Sequence, residues 1–389
     1  MLNNPDNRPE AAPASEEDTL RESVAKTKKV RVKKIRTGPS LIGRLIGLVG
    51  VVAVLALVAG FLGALKYSNL FLAPETESRE VVVTIPEGAG PARIGEALEE
   101  AGVIRSAKAF VWTIRVKNRL KKNKPVVLKA GEMALDPSKP VWDTIDLIAK
   151  GNYKVYPFTV PEGRNMYEIA GLIEAAGLGR GPDFLALCRD KGFIESLGLK
   201  ADTLEGYLFP ETYSFPKGTP LTTVVKTMTD TFFKVWAKYA EEAKSKGWSR
   251  QTVVTLASIV EKETGAPKER PVIAGVFWNR LEQGMKLQTD PTIVYGLLPD
   301  NYSGNITRKD IENPHPYNTY HIPGLPPGPI ANPGEAAIQA VIRPEVVPYL
   351  YFVSKNDGTH QFSRTLAEHN KAVNQFQRGQ KAPARGARR

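Results

Sequence analysis

Leu256-Ala257-Ser258-Ile259-Val260-Glu261-Lys262-Glu263-Thr264 is the stretch that decides most about this chain, because an apolar helix-forming run ends there in a carboxylate. In a helix, the residues three, four and seven positions before Glu261 lie on its face, and they are Ser258, Ala257 and Val254. A carboxyl group held at the end of a small and apolar face is costly to ionise. That property suits a general acid near neutral pH, so Glu261 is the candidate catalytic residue.

Spacing alone also permits a purely structural role for Glu261, as the partner of Arg270 or Arg280 in an ion pair. Glu263 lies two residues after Glu261, which is about 200° around a helix. The two carboxylates therefore do not share a face, and we do not expect them to act as a pair.

Polar and aromatic motifs follow the carboxylate in loops that are rich in turns. They are Leu287-Gln288-Thr289-Asp290-Pro291-Thr292, Tyr317-Asn318-Thr319-Tyr320 and Gly324-Leu325-Pro326-Pro327-Gly328-Pro329-Ile330. Amide, hydroxyl and aromatic side chains in such loops are typical of a sugar-binding cleft. The candidate substrate-binding residues are Gln288, Thr289, Asp290, Tyr317, Asn318 and Tyr320. Asp290 has the simpler alternative of capping the helix that Pro291 begins.

The sequence offers little for a metal or a cofactor. His315 and His321 flank the Tyr-Asn-Thr-Tyr motif, but they lack the spacing of a metal-binding pair, and no His-Glu-x-x-His or Cys-x-x-Cys occurs. No phosphate-binding loop is present either. Cys188 is the only cysteine, so we expect a small buried hydrophobic residue there and no internal disulfide. We therefore predict no metal and no cofactor.

An uncharged run from Leu45 to Leu65 lies between Arg44 and Lys66. It is long enough to cross a hydrocarbon core of about 30 Å and too long for a signal peptide. The net charge of +12 includes a basic cluster at residues 26–36, before this run. The positive-inside rule then places the N-terminus in the cytoplasm and the rest outside. We interpret the cluster as a topology signal, which argues against nucleic acid as a partner, and we predict a single-pass membrane protein whose larger part lies outside the cytoplasm.

The chain outside the membrane run divides into modules, and we predict an α+β fold. Thr84-Ile85-Pro86-Glu87-Gly88 recurs as Thr159-Val160-Pro161-Glu162-Gly163, each copy a strand and turn before an amphipathic helix. The first copy opens a small α+β module at about 80–150, and the second opens a larger mixed α+β domain at 155–375. Residues 1–40 and 378–389 read as disordered basic tails.

Strands and helices follow from hydrophobic periodicity and from turn residues. Pro and Gly are dense between residues 314 and 334, which predicts a long ordered loop. The predicted strands are Val81–Ile85, Leu128–Leu135, Tyr156–Val160 and a buried strand at Tyr349–Ser354. The predicted helices are Val141–Lys150, Asn165–Ala176, Pro182–Arg189, Leu221–Lys246, Arg250–Thr264 and Pro267–Gln283.

In their order, the motifs already quoted and Leu204-Glu205-Gly206-Tyr207-Leu208-Phe209-Pro210 resemble those of the endolytic murein transglycosylases, the MltG or YceG-like family. The resemblance covers about 80–375, and the single N-terminal span is similar too. It implies a single-pass inner-membrane protein with a periplasmic catalytic domain. By this resemblance, Glu261 is the catalytic residue, the 80–150 module is LysM-like, and the 155–375 domain is the transglycosylase domain. Gly131-Glu132-Met133 departs from the family, which often has an aromatic residue in third place.

The resemblance implies cleavage of the bond between N-acetylmuramic acid and N-acetylglucosamine, with a 1,6-anhydromuramoyl end as product. A single Glu would serve as acid and then as base. The expected partners are peptidoglycan glycan strands and the inner membrane, with peptidoglycan synthases as further candidates, and the expected role is termination of strand elongation. Two rival hypotheses are a peptidoglycan-binding scaffold without activity, and a hydrolase that uses Asp290 with Glu261 and a water molecule.

Overall fold

The computed structural model describes residues 41–72, 77–120 and 125–378. Residues 1–40 and 379–389, for which the sequence predicts disorder, lie outside the described residues. By its contacts the chain divides into two units, Met1–Leu70 and Phe71–Arg389.

The first unit contributes a long helix, α1, at Leu41–Leu72. Within it, Gly43–Leu62 has a mean hydropathy of 2.9 and none of this segment is buried. By length and composition this helix can cross a membrane, in agreement with the predicted span at 45–65.

The second unit begins with two strands and three helices around their own hydrophobic core. Strand β1 (Val81–Ile85) pairs antiparallel with β2 (Gly131–Leu135), with Val83 opposite Met133. The helices are α2 (Pro91–Glu100), α3 (Ala107–Leu120) and α4 (Val141–Lys150). Side chains from all five elements fill this core. The region is α+β as predicted, and its likeness to a LysM module stays a prediction.

Helix α3 is absent from the sequence prediction, and Lys117 gives the reason. The buried stripe of the helix runs through Phe110 and Ile114 to Lys117, a position at which periodicity expects an apolar residue. The Lys117 side chain is only 1% exposed, and its ammonium group pairs with Asp146 at 2.7 Å. A buried charge that finds its partner on another helix is a tertiary effect, which periodicity within one helix does not reveal.

The larger part of the second unit is mixed α+β, as predicted. Strand β3 (Val155–Thr159) pairs antiparallel with β4 (Thr212–Pro216), and β5 (Tyr351–Ser354) with β6 (His360–Ser363). The α-helices are α5 (Met166–Ala175), α6 (Gly181–Leu187), α7 (Lys191–Ser196), α8 (Leu221–Trp236), α9 (Ala240–Ser245), α10 (Arg250–Glu263), α11 (Arg270–Glu282), α12 (Asp290–Leu297), α13 (Arg308–Glu312), α14 (Glu335–Ile342) and α15 (Leu366–Val373). A 3₁₀ turn at Pro267–Glu269 precedes α11, and a π-helical turn at Asn374–Arg378 follows α15.

The strand predicted at Leu128–Leu135 begins at Gly131 in the structure, and two other predicted elements differ as well. The single helix predicted at 221–246 is broken into α8 and α9, because Lys238 and Tyr239 at the break turn towards α14 and donate to the Glu335 carboxylate at 3.0 Å and 2.8 Å. The strand predicted as buried from Tyr349 begins at Tyr351 and is half-buried throughout.

Helix α10 lies at the centre of the larger core. Each residue from Val253 to Val260 is buried, and the helix packs against α11, α12 and α14. Gly206, in the Leu-Glu-Gly-Tyr motif, reaches this helix with a φ of +85°. A Cβ at this position would lie 2.5 Å from Pro329 Cγ and 2.8 Å from Val254 Cγ1. Glycine therefore lets this turn touch both the Gly-Leu-Pro-Pro loop and the helix that carries Glu261.

We expect Gly206→Ala to destabilise the protein by about 2–5 kcal/mol, since a left-handed alanine costs about 1–2 kcal/mol and overpacking adds about 1–3 kcal/mol. Gly177 is a matched control, with a φ of +66° and no atom within 4 Å of the place that a Cβ would occupy. Gly177→Ala should lose only the backbone part, about 1–2 kcal/mol. Urea unfolding of both variants measures the difference, and equal losses would show that the contact at Gly206 is not tight.

Candidate active site

Helix α10 delivers Glu261 to the end of an apolar face, as the sequence predicts. Ser249 caps the helix by accepting from Thr252 N at 3.0 Å. Val254, Ala257 and Ser258 are fully buried, and only 5% of the Glu261 side chain is exposed. Ser258 also holds the next loop, because its hydroxyl accepts from Ile330 N at 3.0 Å.

The carboxylate oxygens of Glu261 contact polar groups, in line with the alternative of an ion pair with Arg270 or Arg280. Arg270 Nη2 lies 2.8 Å from Oε1, and Gly334 N donates to Oε2 at 3.1 Å. A guanidinium and an amide N–H are natural partners of an ionised carboxylate. Of the two arginines that spacing allowed, Arg270 is the partner, while Arg280 donates to the carbonyl oxygens of Leu287 and Leu350.

A second carboxylate, Glu162, reaches the same arginine, and no sequence motif singled it out. Glu162 Oε2 lies 3.8 Å from Arg270 Nη2, and its side chain is half exposed. Burial raises the pKa of Glu162, the charge of Glu261 raises it further, and Arg270 opposes both. In the sequence, Glu162 occupies the same place as Glu87 in the repeated Pro-Glu-Gly turn. Because the turn occurs twice, Glu162 looks like an ordinary turn residue.

Asn332 and Glu205 hold the backbone around the two carboxylates. Asn332 is fully buried; its carbonyl accepts from Gly163 N at 2.9 Å, and its Oδ1 accepts from Leu208 N at 2.9 Å. Its amide nitrogen donates to Glu205 Oε1 at 2.8 Å. Glu205, 1% exposed, also accepts from Met166 N at 2.9 Å. The Leu-Glu-Gly-Tyr motif thus fixes the turns that border Glu261.

Burial raises the pKa of Glu205 to about 8, against the donors that favour its charged form. These donors are the amides of Met166 and Gly206 and the hydroxyl of Tyr295. In the sequence, Glu205 stands out only as part of a motif. Its buried carboxylate and its distant partner Asn332 are visible only in the folded chain.

The Gln288-Thr289-Asp290 motif lies against the other carboxylate of the helix end. The Thr289 hydroxyl donates to Glu263 Oε1 in a short hydrogen bond, and Thr289 is buried. Burial raises the pKa of Glu263, and the charge of Asp290 raises it further. Glu261 and Glu263 therefore face different loops, in keeping with their predicted separation around the helix. Gln288 is exposed, with a left-handed φ of +48°.

Asp290 does not cap α12, which corrects that alternative. Thr289 occupies the N-cap position, without a side-chain capping bond, and Asp290 is the first helical residue. The exposed Asp290 carboxylate accepts from the Tyr320 hydroxyl at 2.7 Å. Tyr317 is half-buried and packs on Tyr295, with ring centroids 4.9 Å apart.

Asn318 lies inside its loop rather than at an open surface. It is 1% exposed, and its amide nitrogen donates to three carbonyl oxygens, those of Asp310, Ile311 and Asn313, at 2.8–3.2 Å. Its Oδ1 accepts from Tyr320 N at 3.0 Å. This amide holds the loop together. Its N–H groups are already used in these hydrogen bonds, so Asn318 has no free N–H to donate to a sugar. The substrate-binding role stays a prediction for the whole set, which is Gln288, Thr289, Asp290, Tyr317, Asn318 and Tyr320.

We expect Asn318→Ala to destabilise the protein by about 1–3 kcal/mol, because it removes the three side-chain hydrogen bonds that hold this loop together. The exposed side chain of Asn313, five residues earlier, provides a control, and Asn313→Ala should stay within about 0.5 kcal/mol of the wild type. Thermal unfolding measures both. If the Asn318 variant melts like the wild type yet no longer cleaves glycan, the side chain contacts the sugar after all.

A cavity of about 440 Å³ opens beside the end of α10. Its wall combines polar and aromatic side chains with apolar ones, and its lining residues are Asn165, Glu168, Lys262, Asp290, Pro291, Val294, Tyr295, Leu298, Tyr302 and Ile330. Of the predicted substrate-binding residues, Asp290 is the one that lines it. Within residues 41–72, 77–120 and 125–378, no group of three or more His, Cys, Asp or Glu side chains is placed to hold a metal ion. Cys188 is buried, as expected.

Known proteins share both the sequence and the fold of this chain. Residues 83–375 match the model of the YceG-like family. The endolytic murein transglycosylase of Bacillus subtilis (strain 168) is 33% identical over 332 residues, which cover 81% of this chain and 90% of that protein. The endolytic murein transglycosylase of Streptococcus pneumoniae (serotype 2, strain D39) is 31% identical over 348 residues, which cover 81% of this chain and 62% of that protein.

A solved structure agrees with this assignment. The 2.6 Å crystal structure of a YceG-like protein from Listeria monocytogenes matches with a TM-score of 0.52 and 33% identity, covering 76% of this chain and 100% of that chain. The resemblance predicted from the sequence motifs is confirmed: the chain belongs to the YceG-like family.

Proposed function

We propose that this protein is an endolytic lytic transglycosylase that cleaves the bond between N-acetylmuramic acid and N-acetylglucosamine in nascent peptidoglycan strands. The relatives named endolytic murein transglycosylase support the substrate class. The observation that carries the proposal is the position of Glu261. It is a nearly buried carboxylate at a helix end, and its two oxygens accept hydrogen bonds from Arg270 and from the Gly334 amide.

The proposed reaction needs one carboxyl group in two roles. Glu261 first gives its proton to the glycosidic oxygen as the bond from that oxygen to the anomeric carbon breaks, and the N-acetylglucosamine side leaves as an alcohol. The 6-hydroxyl of the muramoyl sugar then attacks the anomeric carbon, and its proton passes to Glu261. The product is a 1,6-anhydromuramoyl end, and Glu261 is protonated again. Because the nucleophile belongs to the substrate, no second carboxylate is needed to activate water.

Arg270 and Gly334 have a defined part in this cycle. Between the two proton transfers Glu261 is a carboxylate, and the guanidinium and the amide N–H are placed to stabilise its negative charge. The rival hydrolase would use Asp290 as its second carboxylate. Asp290 instead accepts a hydrogen bond from the Tyr320 hydroxyl, and its charge raises the pKa of Glu263. Glu263 faces a different loop from Glu261. These contacts favour the single-carboxylate reaction.

Digestion of isolated cell-wall sacculi by the full-length protein in detergent tests the proposal. Mass spectrometry of the muropeptides should show new anhydromuramoyl ends, each lighter by one water than a hydrolytic end, and the mean strand length should fall before free disaccharides accumulate. Hydrolytic reducing ends would support the hydrolase instead. Unchanged sacculi that still retain the protein would support the binding scaffold.

We also propose a single-pass orientation in the inner membrane, with the N-terminus in the cytoplasm and the catalytic domain in the periplasm, where synthases extend the strands that cleavage would terminate. The support is the apolar segment Gly43–Leu62 with basic residues before it. Alkaline phosphatase fused to the C-terminus should be active in a bacterial host. Activity of only a cytoplasmic reporter at that end would contradict the orientation and remove access to peptidoglycan.

A further inference from the structure

The Arg270 guanidinium lies between two carboxylates. Its Nη2 is 2.8 Å from Glu261 Oε1 and 3.8 Å from Glu162 Oε2. Arg270 is itself buried, and among the described residues its Nε finds no hydrogen-bond partner. The guanidinium is therefore held through its Nη2, and the shorter distance favours Glu261 in this arrangement.

The backbone at Gly334 brings the two carboxylates together. Its N–H donates to Glu261 Oε2, and a Cβ at this position would overlap the Glu162 carboxylate. The turn that carries Glu162 is fixed to the Gly334 loop, because Gly163 N donates to the Asn332 carbonyl and Asn332 N donates to the Arg164 carbonyl, both at 2.9 Å. A residue at 334 without a side chain thus allows Glu162 to reach the same spot as Glu261.

Charge around this spot is unbalanced when both carboxylates are ionised, because they share a single guanidinium. The raised pKa of Glu162 reflects burial and the charge of Glu261, against the charge of Arg270. The neighbouring charges have their own partners. Lys262 Nζ donates to the Gly163 carbonyl at 3.2 Å, Arg164 pairs with Glu168, and Glu205 is held behind Asn332.

We propose that Glu162 is a positioning residue that competes with Glu261 for Arg270 and thereby lets Glu261 hold the proton that bond cleavage requires. With Arg270 on Glu261, the catalytic carboxylate is prepared to act as a base. With Arg270 shifted to Glu162, Glu261 is relieved of its counter-charge and binds a proton as the acid. No net proton enters or leaves through Glu162, which stays ionised while Glu261 cycles. This inference rests on the proposed transglycosylase function.

The pH dependence of cleavage by the full-length enzyme tests this role. Glu162→Gln removes the charge that competes for Arg270. Arg270 then stays on Glu261, and the enzyme loses the proton needed for bond cleavage at a lower pH. We expect the alkaline limb of the kcat/KM profile to move down by about one pH unit, a roughly tenfold loss at alkaline pH. Activity on the acidic side of the optimum and KM should stay close to the wild-type values.

Glu87 provides the matched control, because it occupies the same place in the first Pro-Glu-Gly turn and is exposed. Glu87→Gln should keep the wild-type profile. Arg270→Gln removes the shared cation and should move the alkaline limb in the opposite direction, to higher pH. Glu162→Gln is the variant that tests the inference. Because the Glu162 side chain is half exposed, we expect this variant to fold.

Two results would overturn the inference: an unshifted limb in Glu162→Gln, or an equal loss of activity at every pH, which is what a purely structural turn residue would give. The wild-type enzyme in the same assay separates this failure from failure of the proposed function. If the wild type releases anhydromuramoyl ends and Glu162→Gln shows no shift, only the role of Glu162 is wrong. If the wild type releases none, the proposed function itself fails and the role of Glu162 falls with it.

Discussion

Replacing Glu261 by Gln should lower the rate of glycan cleavage by about 10² or more, the usual effect of removing a general acid and base. The amide keeps the shape of the side chain and can still accept from Gly334 N, yet it cannot deliver or take up a proton. The loss should appear in kcat, because the groups that would contact the sugar are unchanged. Muropeptide release from sacculi under single-turnover conditions measures it.

Stability should respond differently from activity in this variant. Glu261→Gln deprives the buried Arg270 of its nearest counter-charge, so we expect a loss of about 1.5–3 kcal/mol, the range for a hydrogen bond to a charged group. Glu162, 3.8 Å from the guanidinium, limits this loss. Glu282→Gln, an exposed substitution in α11, should change neither activity nor melting temperature. Cleavage by Glu261→Gln at the wild-type rate would remove Glu261 from the chemistry.

Glu205→Ala should cause a large loss of stability, about 2–6 kcal/mol, because it leaves two buried donors unpaired at about 1–3 kcal/mol each. The donors are Met166 N and the Asn332 amide, both within hydrogen-bond distance of the carboxylate. For a domain of this size the melting temperature should fall by about 2–4 °C for each kcal/mol lost, which is roughly 4–24 °C. Glu195→Ala, on the exposed side of α7, is the control and should melt like the wild type.

The same carboxylate predicts a pH dependence of stability. The pKa of Glu205 is raised from 4.5 to about 8 in the folded chain. Between these values the folded state holds a proton that the unfolded state has lost, so the stabilisation is complete below about pH 4.5 and is lost as the pH rises towards 8. The melting temperature should fall over this window, and Glu205→Gln should flatten the fall. Glu263 and Glu162 act in the same direction, so some slope should remain. An unchanged slope in Glu205→Gln would contradict the assignment.

Local pattern was enough to predict the helix that carries Glu261 and two of the strands. The apolar spacing of α10 and the strands β1 and β3 depend on neighbours within a few residues, and the structure reproduces them to within one residue. The family could be predicted for the same reason, since its motifs are short and ordered along the chain.

The partners of the carboxylates could not be predicted in this way. Asn332 binds Leu208, 124 residues away, and Glu205, 127 residues away. Such contacts exist only after α5, the Leu-Glu-Gly-Tyr turn and the Gly334 loop have packed together. Asn318 shows another limit of sequence reasoning. An asparagine that holds a loop together and an asparagine that binds a sugar look the same in the sequence.

Cleavage of sacculi in water enriched in ¹⁸O tests most directly the central claim that Glu261 transfers protons while the 6-hydroxyl of the sugar is the nucleophile. Mass spectrometry of the new glycan ends should show 1,6-anhydromuramoyl residues without ¹⁸O for the wild-type enzyme, and hardly any new ends for Glu261→Gln. Reducing ends that carry ¹⁸O in the wild-type digest would contradict the account, because water would then be the nucleophile and a second carboxylate would have to activate it.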